Sequence, residues 1–292
     1  ITHGEARIYG TPRHLAVMID DVATRQKTIT TEVMGPPQKV AYDNAGNPTV
    51  AIQKFAEKVG VDVSKLKVKN TEKGSYVCAK VVERGLATRT ILKQMLPEAI
   101  LSIPFPKTMK WGELNITFAR PIHSILALLG SQVVSFQLGN IKSGRTTFGH
   151  SFMHPAKIKI SEPDAYEEKL KSVHVVVDME VRKKETAREI DAAAAAVGGN
   201  ILPDEELLDI VTNLVEYPVA TAGRFEKEFL EIPREILITA MREHQKYFAV
   251  VDADGNLMPY FVAVNNTRTK DLNLVAKGHE RVLRARLADA QF

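Results

Sequence analysis

The chain has few of the residues and runs that mark several large classes of protein. Its 292 residues include one cysteine, Cys78. That excludes an intrachain disulfide and a thiolate metal cluster, and it suits a reducing compartment. No run approaches the ~20 consecutive apolar residues of a membrane-spanning helix, so no membrane role is expected. Neither Gly-x-x-x-x-Gly-Lys nor Gly-x-Gly-x-x-Gly occurs; with them goes the usual backbone cradle for a nucleotide's phosphates. No methionine stands at the front, and residues 1–10 lack the apolar centre of a secretion signal. At the other end Gln291-Phe292 falls inside a helical pattern with no stop signal. Both ends therefore read as cuts in a longer chain.

What is present describes a folded globular protein. Hydrophobic residues make up 45% and charged residues 25%, and the mean hydropathy is -0.12. The length allows one large core, although two packed lobes are the safer expectation. A net charge of +4 is modest, so contact with an acidic partner must come from clustered Lys and Arg.

Periodicity predicts an α+β fold of mixed and antiparallel sheets with packed helices. The spacing of Val50, Ile52, Phe55, Ala56 and Val59 predicts a helix closed by Gly60. Tyr76 to Val82 reads as a buried strand, and Thr88 to Leu101 as a helix in which Pro97 introduces a kink. Pro121 is placed to open a helix through Leu129, closed by Gly130. Residues 142–147 read as a turn and strand edge. Asp178 to Val197 predicts a helix stopped by Gly198-Gly199, Asp204 caps the next, and Pro233 opens another to about Arg242. Tyr247 to Val251 and Tyr260 to Val264 flank a hairpin turn at residues 252–255, and a last helix starts near Lys270.

Three groups of residues bear on chemistry. His150 and His154 are four apart, a metal-ligand spacing on a helix, but Gly149, Ser151 and Pro155 argue against a helix and no acidic third ligand follows. The plain reading is a loop histidine bonded to backbone, with no metal. Cys78 sits among Tyr76, Val77, Ala79 and Val81, which marks it as packing rather than a nucleophile. The third group mixes cations, aromatics and amides: Lys107, Lys110 and Trp111 on a proline-framed loop, Lys142 and Arg145, and Arg242, His244, Gln245 and Lys246. Such mixtures supply phosphate charges, stacking faces and hydrogen bonds for an RNA end or single-stranded tip. Trp111 is equally suited to a core or lid position. Arg281, Arg284 and Arg286 read as a solvated basic helix face.

Seven collinear segments carry a resemblance: YGTPRHLAV (9–17), PFPKTMKWG (104–112), ARPIHSILALLG (119–130), IKSGRTTFGHSF (141–152), LVEYPV (214–219), MREHQKYF (241–248) and RVLRARLADAQF (281–292). Together they resemble the beta subunit of bacterial glycyl-tRNA synthetase over essentially the whole chain. Members of that family commonly have Arg where this chain has Phe148 and Ser151, which leaves Lys142 and Arg145 as the phosphate candidates of their segment. The resemblance implies a cytoplasmic two-alpha two-beta enzyme that joins glycine to its tRNA, with ATP and Mg used by the alpha subunit and no cofactor in this chain. It implies a fold similar to the B3/B4-type domain of the phenylalanyl-tRNA synthetase beta subunit. One lobe would span 1–160, a second α+β part 161–268, and the start of a truncated HD-type domain 269–292. Expected partners are the alpha subunit, the glycine tRNA and the remaining beta-subunit domains. The expected role is tRNA binding with no catalytic residue here; an editing hydrolase and a pure docking module are the alternatives.

Overall fold

A computed structural model of the chain describes residues 1–72 and 74–291. The apolar stripe that predicts the helix at 50–59 forms Val50–Val59, and Gly60 closes it in the left-handed conformation at φ 64°. That helix covers an antiparallel sheet of Ile29–Pro37, Gly74–Glu83 and Lys67–Thr71, with Gly74–Glu83 in the centre. Val77 and Ala79 alternate onto the helix side, where they meet Ile52, Ala56, Ala41 and Leu66. Gly35 permits the close fit of Phe55, whose ring would lie 2.6 Å from a Cβ at that position. Cys78 is buried, as its neighbours imply. These elements and the helix Thr88–Leu101 belong to one compact unit, residues 1–4 and 20–103.

The second compact unit comprises residues 5–19 and 104–292. At its centre is an antiparallel sheet in the order Asn200–Ile201, Phe248–Val251, Leu257–Asn265, Val219–Arg224. Strand alternation sends Phe248, Val250 and Val262 to one face and Ala249, Phe261 and Ala263 to the other. The first face packs on the helices Met179–Ala196 and Glu205–Thr212 through Ile190, Ala194, Leu207 and Val211. Their starts are fixed by Asp178, which accepts from Val181 N, and Asp204, which accepts from Leu207 N. The second face packs on Leu237, Met241, Leu283 and Leu287. The last two come from the helix Leu272–Gln291 and are wholly buried, so this helix is a wall of the unit's own core. A third core in the same unit joins Tyr9 to Ile160, Leu170, Val175 and Val177. The chain thus divides at 4/5, 19/20 and 103/104.

The α+β class is as the sequence implies. Three local expectations change. Pro121 opens no helix: Ile125–Leu126 runs parallel to Ile141–Gly144 instead, and Leu128–Leu129 pairs with Gln132–Val133. Leu126 and Leu128 both pack against the third core, a period-two arrangement that short apolar runs mimic at helical spacing. Residues 142–147 lie mostly in two strands, Ile141–Gly144 and Thr146–Phe148, with the bend confined to Arg145. The helix after Pro233 stays α-helical only over Arg234–Thr239, then widens into a π turn over Ala240–Gln245. No described helix is long and apolar enough to cross a membrane.

Candidate nucleic-acid interface

All nine candidate contact residues lie in the second unit, but local structure gives them different freedom. Lys107 and Lys110 are exposed. Lys110 sits on a two-residue strand, Met109–Lys110, paired with Thr117–Phe118, and the hairpin is pinned by an edge-on contact of Phe105 with Phe118 at 4.7 Å between ring centroids. Trp111 is half-buried beside Gly112, whose φ of 58° turns the chain. The prolines and aromatics of this segment thus hold two lysines out into solvent. Lys142 is likewise exposed.

Arg145 and Arg242 are engaged elsewhere. The Arg145 guanidinium donates to the carbonyls of Ser161 at 3.2 Å and Ser131 at 2.9 Å, stapling two loops. Arg242 donates to Asp204 at 2.7 Å and pairs with Glu206 and Glu243. These bonds, Asp204's foremost, raise the Arg242 pKa above the usual arginine value. Its charge is therefore spent on holding the π turn against the helix Glu205–Thr212. The turn ends on Lys246 in the left-handed conformation at φ 57°, a strained choice for a residue with a side chain. It leaves His244 exposed, Gln245 half-buried, and Lys246 3.7 Å from Glu243.

The loop histidine reading holds for His150. Its ring is buried and Nδ1 accepts the backbone N–H groups of Phe152 and Met153, each at 3.2 Å. Among the described residues no cluster of three His, Cys, Asp or Glu could hold a metal ion.

Sequence reasoning passed over a buried polar network built from its own motifs. Glu216, with no exposed side-chain surface, accepts from Thr11 Oγ1 at 2.8 Å; His14 Nδ1 lies 2.9 Å away and Arg13 Nη1 3.4 Å. His14 Nε2 lies 3.1 Å from the Phe148 carbonyl oxygen. Burial pushes the Glu216 carboxyl up, but the bonds from His14 and Thr11 and the charges of His14 and Arg13 pull harder, leaving it below its ordinary value. Asn266 Oδ1 accepts the Glu216 N–H at 2.6 Å. Nearby Arg182, fully buried, donates to the carbonyls of Gly10 at 2.7 Å and Thr212 at 2.9 Å and to Val176 and Val177. No local signal joins Thr11 and His14 to Glu216, since the contacts span 205 and 202 positions and a lone Glu in an apolar run carries no spacing rule.

A second network fixes a tautomer. Asn265 Nδ2 donates to Val219 O and Thr221 Oγ1, which turns its Oδ1 toward His279 Nε2–H at 2.9 Å. His279 Nδ1 then accepts the Tyr247 hydroxyl at 2.8 Å. This arrangement suits the neutral ring, and burial lowers the His279 pKa accordingly.

Comparison with known proteins shows the family. The family model described as "Glycyl-tRNA synthetase beta subunit" matches residues 1–292. The chain belongs to that family. It is 55% identical over all its 292 residues to the glycine-tRNA ligase beta subunit of Desulfatibacillum aliphaticivorans. It is 52% identical to that of Desulforapulum autotrophicum and 45% identical to that of Myxococcus xanthus, again over its whole length. In each case the chain spans 42% of the relative's length.

Proposed function

We propose that this chain is a tRNA-contacting and subunit-organising part of a glycine-tRNA ligase beta subunit. In that enzyme an alpha subunit would perform the ATP-dependent joining of glycine to tRNA, and this part would supply no reacting group. The exposed Lys107 and Lys110, carried on an aromatic-pinned hairpin in a chain of this family, are the observation that carries the reading. Two exposed ammonium groups beside one short hairpin would neutralise backbone phosphates, and the neighbouring Trp111 would stack on an unpaired base. Lys142, His244, Gln245 and Lys246 extend the candidate surface. Arg145 and Arg242 act through the loops and turn they brace. The alpha subunit, the rest of the beta chain and the glycine tRNA are the partners, in the cytoplasm, and the α+β lobes are those expected of a B3/B4-like region.

The test is the salt dependence of tRNA binding by the full-length beta subunit assembled with alpha. Replacing both Lys107 and Lys110 by Gln should lower the slope of log affinity against log salt by about two. An unchanged slope rejects the assignment.

A further inference from the structure

The helix Leu272–Gln291 presents two different faces. Leu283 and Leu287 are wholly buried, while Lys277, Arg281 and Arg284, spaced four and three apart, are exposed along another side. These three cations form one wall of an open depression of about 550 Å3. Arg224, at the end of the strand Val219–Arg224, and Lys227 line it as well, and the half-buried Tyr260 adds an aromatic ring.

Five cations and two carboxylates therefore share one cavity. Glu226 is taken by Arg284, and Glu280 accepts the backbone N–H of Arg224 at 3.0 Å. Among the described residues, none of the side chains of Arg224, Lys227, Lys277 and Arg281 pairs with a carboxylate. Concentrating unpaired like charge in a depression costs self-repulsion and focuses a positive potential there, which an incoming anion relieves. The volume lies well within the range of ligand clefts, far beyond one phosphate. A free nucleotide is normally gripped by converging backbone N–H groups at a helix N-terminus. Here the donors are side chains spread over two walls of an open groove, with a ring for stacking, which suits a strand passing through.

We propose that this depression binds the sugar-phosphate backbone of tRNA, with the arginine forks and lysine ammonium groups on consecutive phosphates. The proposal rests on the tRNA-contact reading above and adds a second contact region, separate from the Lys107–Lys110 hairpin.

The experiment uses the full-length beta subunit assembled with alpha, measuring affinity for the glycine tRNA across a range of salt. Lys277→Gln with Arg281→Gln should lower the salt slope by about two and the affinity at ~0.1 M salt by roughly tenfold. Arg224→Gln with Lys227→Gln, on the other wall, should do the same and guards against misfolding of either variant; unchanged melting temperatures confirm both. If both pairs leave the slope intact while Lys107→Gln with Lys110→Gln lowers it, the depression is not a tRNA site although the chain contacts tRNA. If all three leave it intact, the depression proposal and the underlying reading fail together. Calorimetric titration with ATP is the remaining arm: ATP binding abolished by either pair, with the tRNA slope unchanged, overturns the proposal in favour of a free polyphosphate.

Discussion

At the level of single residues, Glu216 concentrates the most consequence. Its carboxylate is buried, and Thr11 and His14 bond it from a segment 205 and 202 positions away. Because its folded pKa lies below the ordinary 4.5, the ionised form favours the folded state. That contribution is fully present above about pH 4.5 and is lost as pH falls through the lower folded value. Glu216→Gln keeps an acceptor and removes the charge, so it should cost about 1–3 kcal/mol at neutral pH and flatten the acid limb of the stability profile. Chemical denaturation at a series of pH values reads both effects; an acid limb as steep as that of the unaltered chain would contradict them. His279 behaves with the same sign for a different reason. Its folded pKa lies below the ordinary 6.5, so the stability it lends is present above that value and declines as pH falls through the folded one. An NMR titration should find its midpoint below that of a free imidazole, and Tyr247→Phe should move that midpoint upward, since the hydroxyl donates only to the neutral ring.

Among the elements, the helix Leu272–Gln291 illustrates how burial and exposure are divided along one segment. Leu283→Ala should destabilise the second unit by about 2–5 kcal/mol, because the side chain is wholly enclosed and its removal leaves a cavity. Asp204 separates two roles in the same way. Asp204→Asn keeps the cap on Leu207 N and loses only the charge facing Arg242; Asp204→Ala loses the cap too and should cost about 1 kcal/mol more in equilibrium unfolding. The helix start at Asp178, the cap at Asp204, the glycine stop at Gly60 and the hairpin turn at 252–255 were legible because each is fixed by neighbours within a few residues. The segment 121–129 was not. Its apolar spacing satisfied a helix template, and the outcome turned on a partner strand at 141–144 that local pattern does not reveal. The candidate site shows the same limit. Lys107 and Lys110 stand on a segment whose local pattern is short, whereas the carboxylates that engage Arg242 come partly from residues 204 and 206. The basic depression was equally hidden, since Arg224 and Lys227 stand some fifty residues from Lys277 and Arg281.

For the molecule as a whole, the two units differ in charge. The first holds 13 Lys and Arg against 9 Asp and Glu, the second 26 of each, so the entire net +4 resides in the first. The second unit's affinity for an anion must then be local, built from clusters, whereas the first contributes a longer-range attraction. The exposed Lys67 and Lys80 sit on its three-stranded sheet. Changing both to Gln should slow association of the complete enzyme with tRNA several-fold at low salt, with little change in dissociation, and the difference should fade above ~0.15 M salt. Stopped-flow mixing separates the two rates.

The hairpin of residues 5–19 belongs with residues far down the chain, not with those that follow it. Ribosomes deliver a chain from its N-terminus at roughly 5–20 residues per second. His14 therefore emerges about 10–40 s before Glu216, 202 positions later, can accept its bond. During that interval Tyr9, Ala16 and Met18 lack the core formed by Ile160, Leu170, Val175 and Val177, while the intervening first unit is free to fold on schedule. The order of synthesis thus makes the docking of this hairpin a late step, one that waits for the chain beyond Glu216.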